Sequence, residues 1–167
     1  MEAAASSPAP SSKGAPLTIL LATAVAGTLD ITDACVYWGV THGVAPQRIF
    51  QSVASGLLGK AAYKGGAQTA ALGLGLHFGI MAVMVAVYVL ASLRLPVLTR
   101  RPVVMGLGYG LATYLVMNYV VLPLSAAGPR GHFVLPNFVN ALMAHLVLVG
   151  LTIAMIAAWR ERRTNTL

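Results

Sequence analysis

Acid is the scarcest chemistry in this chain. Only four of its 167 residues are Asp or Glu. Glu2 and Glu161 lie at the two ends, so Asp30 and Asp33 are the only acids between them. Charge of either sign is sparse at 9%, against about 25% in a soluble domain. That scarcity excludes an ordinary soluble domain. With 57% apolar residues and a mean hydropathy of +0.78, the chain reads as an integral membrane protein.

Other absences narrow the chemistry. The single cysteine, Cys35, can form no internal disulfide and has no cysteine partner for a metal site, so a buried, inert thiol is expected. There is no P-loop, no dinucleotide fingerprint and no G-x-S-x-G nucleophile elbow. The expectation is therefore a non-enzymatic protein without a cofactor. Acyl transfer by Asp30, His77 and a hydroxyl side chain stays open in principle, as does metal-dependent activity, but no particular nucleophile stands out. A net charge of +7 would suit nucleic acid. Here, however, the basic residues sit at the ends of apolar stretches rather than in a continuous patch. They read as topology signals and headgroup contacts, so the bilayer is the expected partner and nucleic acid is not. A second copy of the chain or another membrane protein stays open as a further partner.

What the chain does have is four long apolar runs. The first, Leu17 to Trp38, carries both internal acids. An ionisable group inside a bilayer is rare and faces a partner or a water-filled cavity. Thr23, Ala26, Gly27, Asp30, Asp33, Ala34 and Tyr37 share one helical face, while Leu21, Val25, Leu29 and Val36 cover the other, toward lipid. Residues 1 to 16 are rich in Ala, Ser and Pro and are expected to form a disordered tail. The alternative is a signal peptide cleaved after Ala24-Val25-Ala26, but the run continues past that point to the aromatic pair Tyr37-Trp38, which suits a headgroup belt.

The second span is expected from about Ala67 to Leu93, the third from Pro102 to about Leu124 and the fourth from Asn137 to Trp159, followed by a basic tail from 161 to 167. Gly75 and Gly79 in the second span, and Gly106 and Gly110 in the third, have the small-xxx-small spacing that allows close helix approach. Between the first two spans, Ile49, Phe50, Val53 and Leu57 fall on one face of a helix starting at Pro46. It reads as an amphipathic helix on the membrane surface or, equally, as a short helix packed over the mouth of the bundle. With the N-terminus inside, inner segments hold seven basic residues and outer segments four, which favours a multi-pass protein with both termini in the cytoplasm.

Counting about 1.5 Å per helical residue from the outer ends, Asp30, His77 and His145 each lie about 12 Å deep and Asn118 about 9 Å deep. Asp33, Asn140 and Asn137 lie nearer the surface. Each helix thus offers a polar group at nearly one level. Three readings stay open. The layer is interhelical glue, a protonatable acid–imidazole unit, or a metal site from Asp30, His77 and His145, with Asp33 as a further ligand. His42 and His132 fall in outer connections and read as solvated.

The stretches GTLDITDACVYW (27–38), APQRIFQSVASGLLG (45–59), GLHFGIMAVMVAVY (75–88) and YGLATYLVMNYVVLPLS (109–125) resemble a group of small bacterial inner-membrane proteins. More distantly, the arrangement of His77, Tyr88, Pro96, Gly106 and Pro123 is similar to the YagU-type family; the pattern departs at Asn118, where that family implies a histidine. The resemblance implies a role in envelope or acid-stress physiology. The expected architecture is all-α: an integral membrane four-helix bundle with a short amphipathic helix between the first two spans. The alternatives in function are a subunit of a small-solute or ion transporter and a structural partner of a larger complex.

Overall fold

The computed structural model describes residues 14–128 and 132–164. Among these residues the fold is all-helical. Helix α1 (Ala15–His42) is followed by α2 (Pro46–Leu58) and a tight 3-10 turn (Gly59–Lys64). Next come α3 (Gly66–Ser92), a one-turn α4 (Val97–Arg100), α5 (Pro102–Leu124) and α6 (Leu135–Arg163). Four of them, α1, α3, α5 and α6, are long and apolar enough to cross a membrane. Prolines stand in the first turns of α1, α2, α5 and α6, where a missing N–H costs no hydrogen bond. Helix α1 stops at Gly43, whose left-handed φ of 65° lets its N–H reach the Gly39 carbonyl at 3.0 Å.

The ends differ from the expected tails. Helix α1 already begins at Ala15, within the stretch assigned to an N-terminal tail, and residues 1–13 lie outside the described set. Helix α6 runs through Arg163, into the expected basic tail, and residues 165–167 lie outside the described set.

The bundle is closed at one end and open at the other. Ala22 and Ala26 of α1, Val85 and Tyr88 of α3, and Val149 and Ile153 of α6 form the fully enclosed core. These side chains are closely packed against one another. Two tyrosines add hydrogen bonds: Tyr88 donates to the Leu98 carbonyl at 2.9 Å and Tyr109 to the Met84 carbonyl at 2.7 Å. Helices α5 and α6 cross on three glycines. A Cβ on Gly106 would lie 2.9 Å from the Gly150 oxygen, and one on Gly110 would lie 2.6 Å from Leu146 Cα. Past Gly27 in α1, past Tyr114 in α5 and before Ala144 in α6, no described residue of these helices is fully buried.

At that open end α2 fills part of the gap. It packs against α3 at Gly73, whose absent Cβ leaves room for the Phe50 carbonyl. Gln51 donates to the Gly66 carbonyl at 3.1 Å and to Thr69 Oγ1 at 3.3 Å. The connection after α5 joins it through the Ala126 N–H, which donates to the Gly56 carbonyl at 2.8 Å. This is the packed arrangement of the two weighed from the sequence. The face differs from the expected one. Ile49, Gln51, Ala54 and Ser55 are buried, Phe50 and Val53 are half-buried, and Leu57 is 62% exposed. The reason is the glycine contact, because backbones in close approach tolerate only small or slender side chains between them.

The glycine pair Gly75–Gly79 also departs from expectation. A Cβ at either position would meet nothing within 4 Å among the described residues, so the pair mediates no close approach among them. Gly73→Ala is therefore expected to push α2 off α3, at a cost of about 1–3 kcal/mol for overpacking. Limited proteolysis of the solubilised protein should then cut within residues 46–64 faster than in the wild type. Gly75→Ala should leave the cleavage rate unchanged, and equal rates for the two variants would contradict the docking at Gly73.

Candidate functional site

Helix α1 presents its two acids to different neighbours. Asp30 turns to α3, where its Oδ2 lies 4.0 Å from His77 Nδ1. Asp33 turns to α6, where Asn140 Nδ2 donates to its Oδ2 at 2.9 Å. One turn further on, the Tyr37 hydroxyl donates to Asn137 Oδ1 at 2.8 Å. Residues at i, i+3 and i+7 on one helix thus bridge two partners.

The approach of α3 depends on Gly27. A side chain there would collide with Phe78, its Cβ lying 2.6 Å from the ring. Without one, His77 Nε2 reaches the Gly27 carbonyl at 2.8 Å. A carbonyl only accepts, so Nε2 carries the hydrogen and Nδ1 is the nitrogen left without one in the neutral ring. That Nδ1 is the atom nearest the Asp30 carboxylate. If the pair held no proton, a lone pair would face a carboxylate; one proton on either group removes that conflict. The acid and the imidazole thus approach to ion-pair distance without a hydrogen bond between them.

A second imidazole stands nearby. His145 Nδ1 donates to the Ala141 carbonyl one turn back at 2.9 Å, and its ring packs edge-on to Tyr114 with centroids 5.5 Å apart. Its Nε2 makes no hydrogen bond to a described residue. His145 sits in a wide, π-type segment of α6, Ala144–Leu151. Segments of this kind are common at functional sites.

Of the expected polar layer, Asp30 and His77 approach to 4.0 Å and Asp33 meets Asn140, while His145 bonds the Ala141 carbonyl and packs on Tyr114. Asn118 does not join. Its Nδ2 donates to the Tyr114 carbonyl of its own helix at 2.9 Å, so the layer spans three helices rather than four. A metal site is not assembled either: among the described residues, no group of three or more His, Cys, Asp or Glu is gathered closely enough to hold an ion. Cys35 is half-buried rather than enclosed. His42 is exposed but stacked on Trp38 with centroids 4.6 Å apart, and His132 is exposed.

Sequence reasoning missed the Tyr37–Asn137 bond and a role for α2. Arg48, the one charged residue of α2, lays its guanidinium over the Tyr63 ring at 4.5 Å and donates to the Tyr63 carbonyl at 3.3 Å. Together with Asp30, Trp38, Ser52 and His77 these two residues line a cavity of about 580 Å³ between α1, α2 and α3. A second cavity of about 920 Å³ shares Trp38, Ser52 and Tyr63 and continues to Tyr119 and Ser125. The lone arginine was the available signal, since a charge in an otherwise uncharged helix needs a reason. Comparison with known protein families, curated proteins and solved structures finds no match for this chain.

Proposed function

We propose that this chain is a multi-pass inner-membrane protein, both termini cytoplasmic, whose open end carries a proton-responsive site. Asp30 and His77 share the proton, and His145 tunes the charge around it. The observation that carries this reading is the 4.0 Å approach of the Asp30 carboxylate to His77 Nδ1, with Nε2 committed to the Gly27 carbonyl. Two more features support it. The Asp30 side chain is 23% exposed, so protons can reach it. The closed end is filled by Val85, Tyr88 and Ile153, which weighs against a continuous channel within one copy. The cytoplasmic ends rest on the bias of basic residues. The setting in envelope or acid-stress physiology rests on the YagU-type resemblance. The two cavities beside the acid favour, as a second reading, a subunit that handles a small solute.

Infrared difference spectroscopy between about pH 8 and pH 4, which brackets ordinary carboxylate and imidazole values, tests the proton site. The groups facing Asp30 are His77 from α3, His145 from α6 and Asp33 on its own helix, with Arg48 and Tyr63 lining the same cavity. A protonated-carboxyl band should grow on acidification, and its Asp30 component should move in His77→Gln and be lost in Asp30→Asn, leaving that of Asp33, Glu2 and Glu161. A band that survives Asp30→Asn unchanged would assign the proton elsewhere and leave the pair as interhelical glue.

A further inference from the structure

The cavity above the Asp30–His77 pair holds two opposite charges that do not meet. Asp30 stands on one side of it and Arg48 on the other, and the volume, about 580 Å³, is that of a small-molecule site. Among the described residues the Asp30 carboxylate accepts no hydrogen bond, and its ion-pair contact is the 4.0 Å approach of His77. Arg48 commits one N–H to the Tyr63 carbonyl and rests its face on the Tyr63 ring. A guanidinium has five N–H donors in a fixed fork, so an edge suited to a planar or tetrahedral anion remains. Asp30 is partly buried and Arg48 exposed, and no ion pair joins them among the described residues. Ile31, Ala34, Ile49 and Val53 line the same space and offer hydrocarbon walls to whatever spans it.

We infer that this cavity binds a zwitterion bearing a primary ammonium and an anionic oxy-group on a short linker. The ammonium donates to Asp30, and the phosphate or carboxylate takes the free edge of Arg48. This rests on the reading of Asp30 as a group that exchanges a proton, and it adds a consequence: ammonium and proton compete for the same carboxylate. Ligand should therefore bind more weakly on acidification as Asp30 takes up a proton. The two sources of this chemistry are a phosphatidylethanolamine headgroup and a free soluble zwitterion. Trimethylation of the nitrogen removes every N–H, so a choline headgroup is the discriminating analogue.

The test uses the full chain in phosphatidylcholine nanodiscs. Two probes are added separately: dioleoylphosphatidylethanolamine, counted by native mass spectrometry, and soluble glycerophosphoethanolamine, followed by calorimetry. Binding of the lipid but not the soluble probe assigns the site to the headgroup, and binding of both assigns it to the free zwitterion chemistry. Arg48→Gln should weaken binding about tenfold or more, the scale of one charge-assisted contact, and Asp30→Asn should do the same. Arg48→Gln should nonetheless keep the acid-range carboxyl band, which separates the ligand from the proton site. Binding of neither probe would overturn the inference, as would equal binding by Arg48→Gln and the wild type. A silent carboxyl band with binding intact would instead refute the proton reading and keep the ligand site.

Discussion

Gly150→Val is expected to abolish the folded bundle, as judged by thermal unfolding and by yield after detergent extraction. A Cβ at residue 150 would run into the Gly106 carbonyl and would lie 2.6 Å from Gly110 Cα. Both obstacles are backbone, so no rotamer change on α5 relieves them. Overpacking a fitted site costs about 1–3 kcal/mol when side chains can give way, and more when helices must separate. The valine should therefore exceed ~3 kcal/mol by parting α5 from α6 along the whole crossing. The matched control is Gly79→Val on α3. It also lies in a membrane-length helix and also spoils a small-xxx-small pair, but nothing stands within 4 Å of its Cβ position. It should unfold within a degree or two of the wild type, as harmless surface substitutions do. Comparable losses in the two variants would refute the crossing.

That contrast marks the limit of what the residues disclose. The helices themselves were legible, because apolar runs of membrane length announce themselves and Pro46 and Pro102 mark first turns. The pairing of Asp30 with His77 was legible as well, since depth follows from residue count along a regular helix. Which glycines meet a neighbour was not. Periodicity assigns a face relative to a helix's own axis, and the rotation of that helix against the next is a tertiary fact. Gly73 and Gly75 are two residues apart, yet one receives the Phe50 carbonyl and the other faces open space. Asn118 misled for a different reason: an amide side chain in a helix can satisfy itself on the carbonyl four residues back, here Tyr114. Within α6, the wide segment Ala144–Leu151 alters the phase of the helix, so faces counted from Asn137 to His145 drift as they enter it. The cavity depends on α2 folding back against α3, a placement that the apolar pattern of residues 46–58 left undecided between membrane and protein.

Asp30 and His77 are expected to be coupled in stability, and the coupling is expected to depend on pH. Asp30→Asn keeps the size of the side chain and removes its charge. His77→Gln keeps a donor for the Gly27 carbonyl and removes the ring nitrogen nearest Asp30. Each single variant should lose about 1–2 kcal/mol, since each leaves a polar partner exposed to a poorly polar surrounding. The double variant should lose less than the sum by at least ~0.5 kcal/mol, the threshold at which contacting residues depart from additivity. Asn118→Ala provides the internal control, because among the described residues its side chain bonds its own helix; paired with Asp30→Asn it should add within about 0.5 kcal/mol. The sign of the pH effect follows from counting protons. With two protons the pair is an acid beside an imidazolium, and with none it is a carboxylate facing a lone pair. Only the one-proton state combines a single positive with a single negative charge, or an acid O–H with a free ring nitrogen; with two protons the imidazolium N–H meets an uncharged acid and the attraction is weaker. Coupling should therefore peak where one proton is shared and fall both on acidification and on alkalinisation. Thermal unfolding of the four proteins at several values between about pH 4 and pH 8 reads this directly. Coupling that stays constant across that range would make the contact structural glue, and full additivity at every pH would mean that the two side chains do not interact.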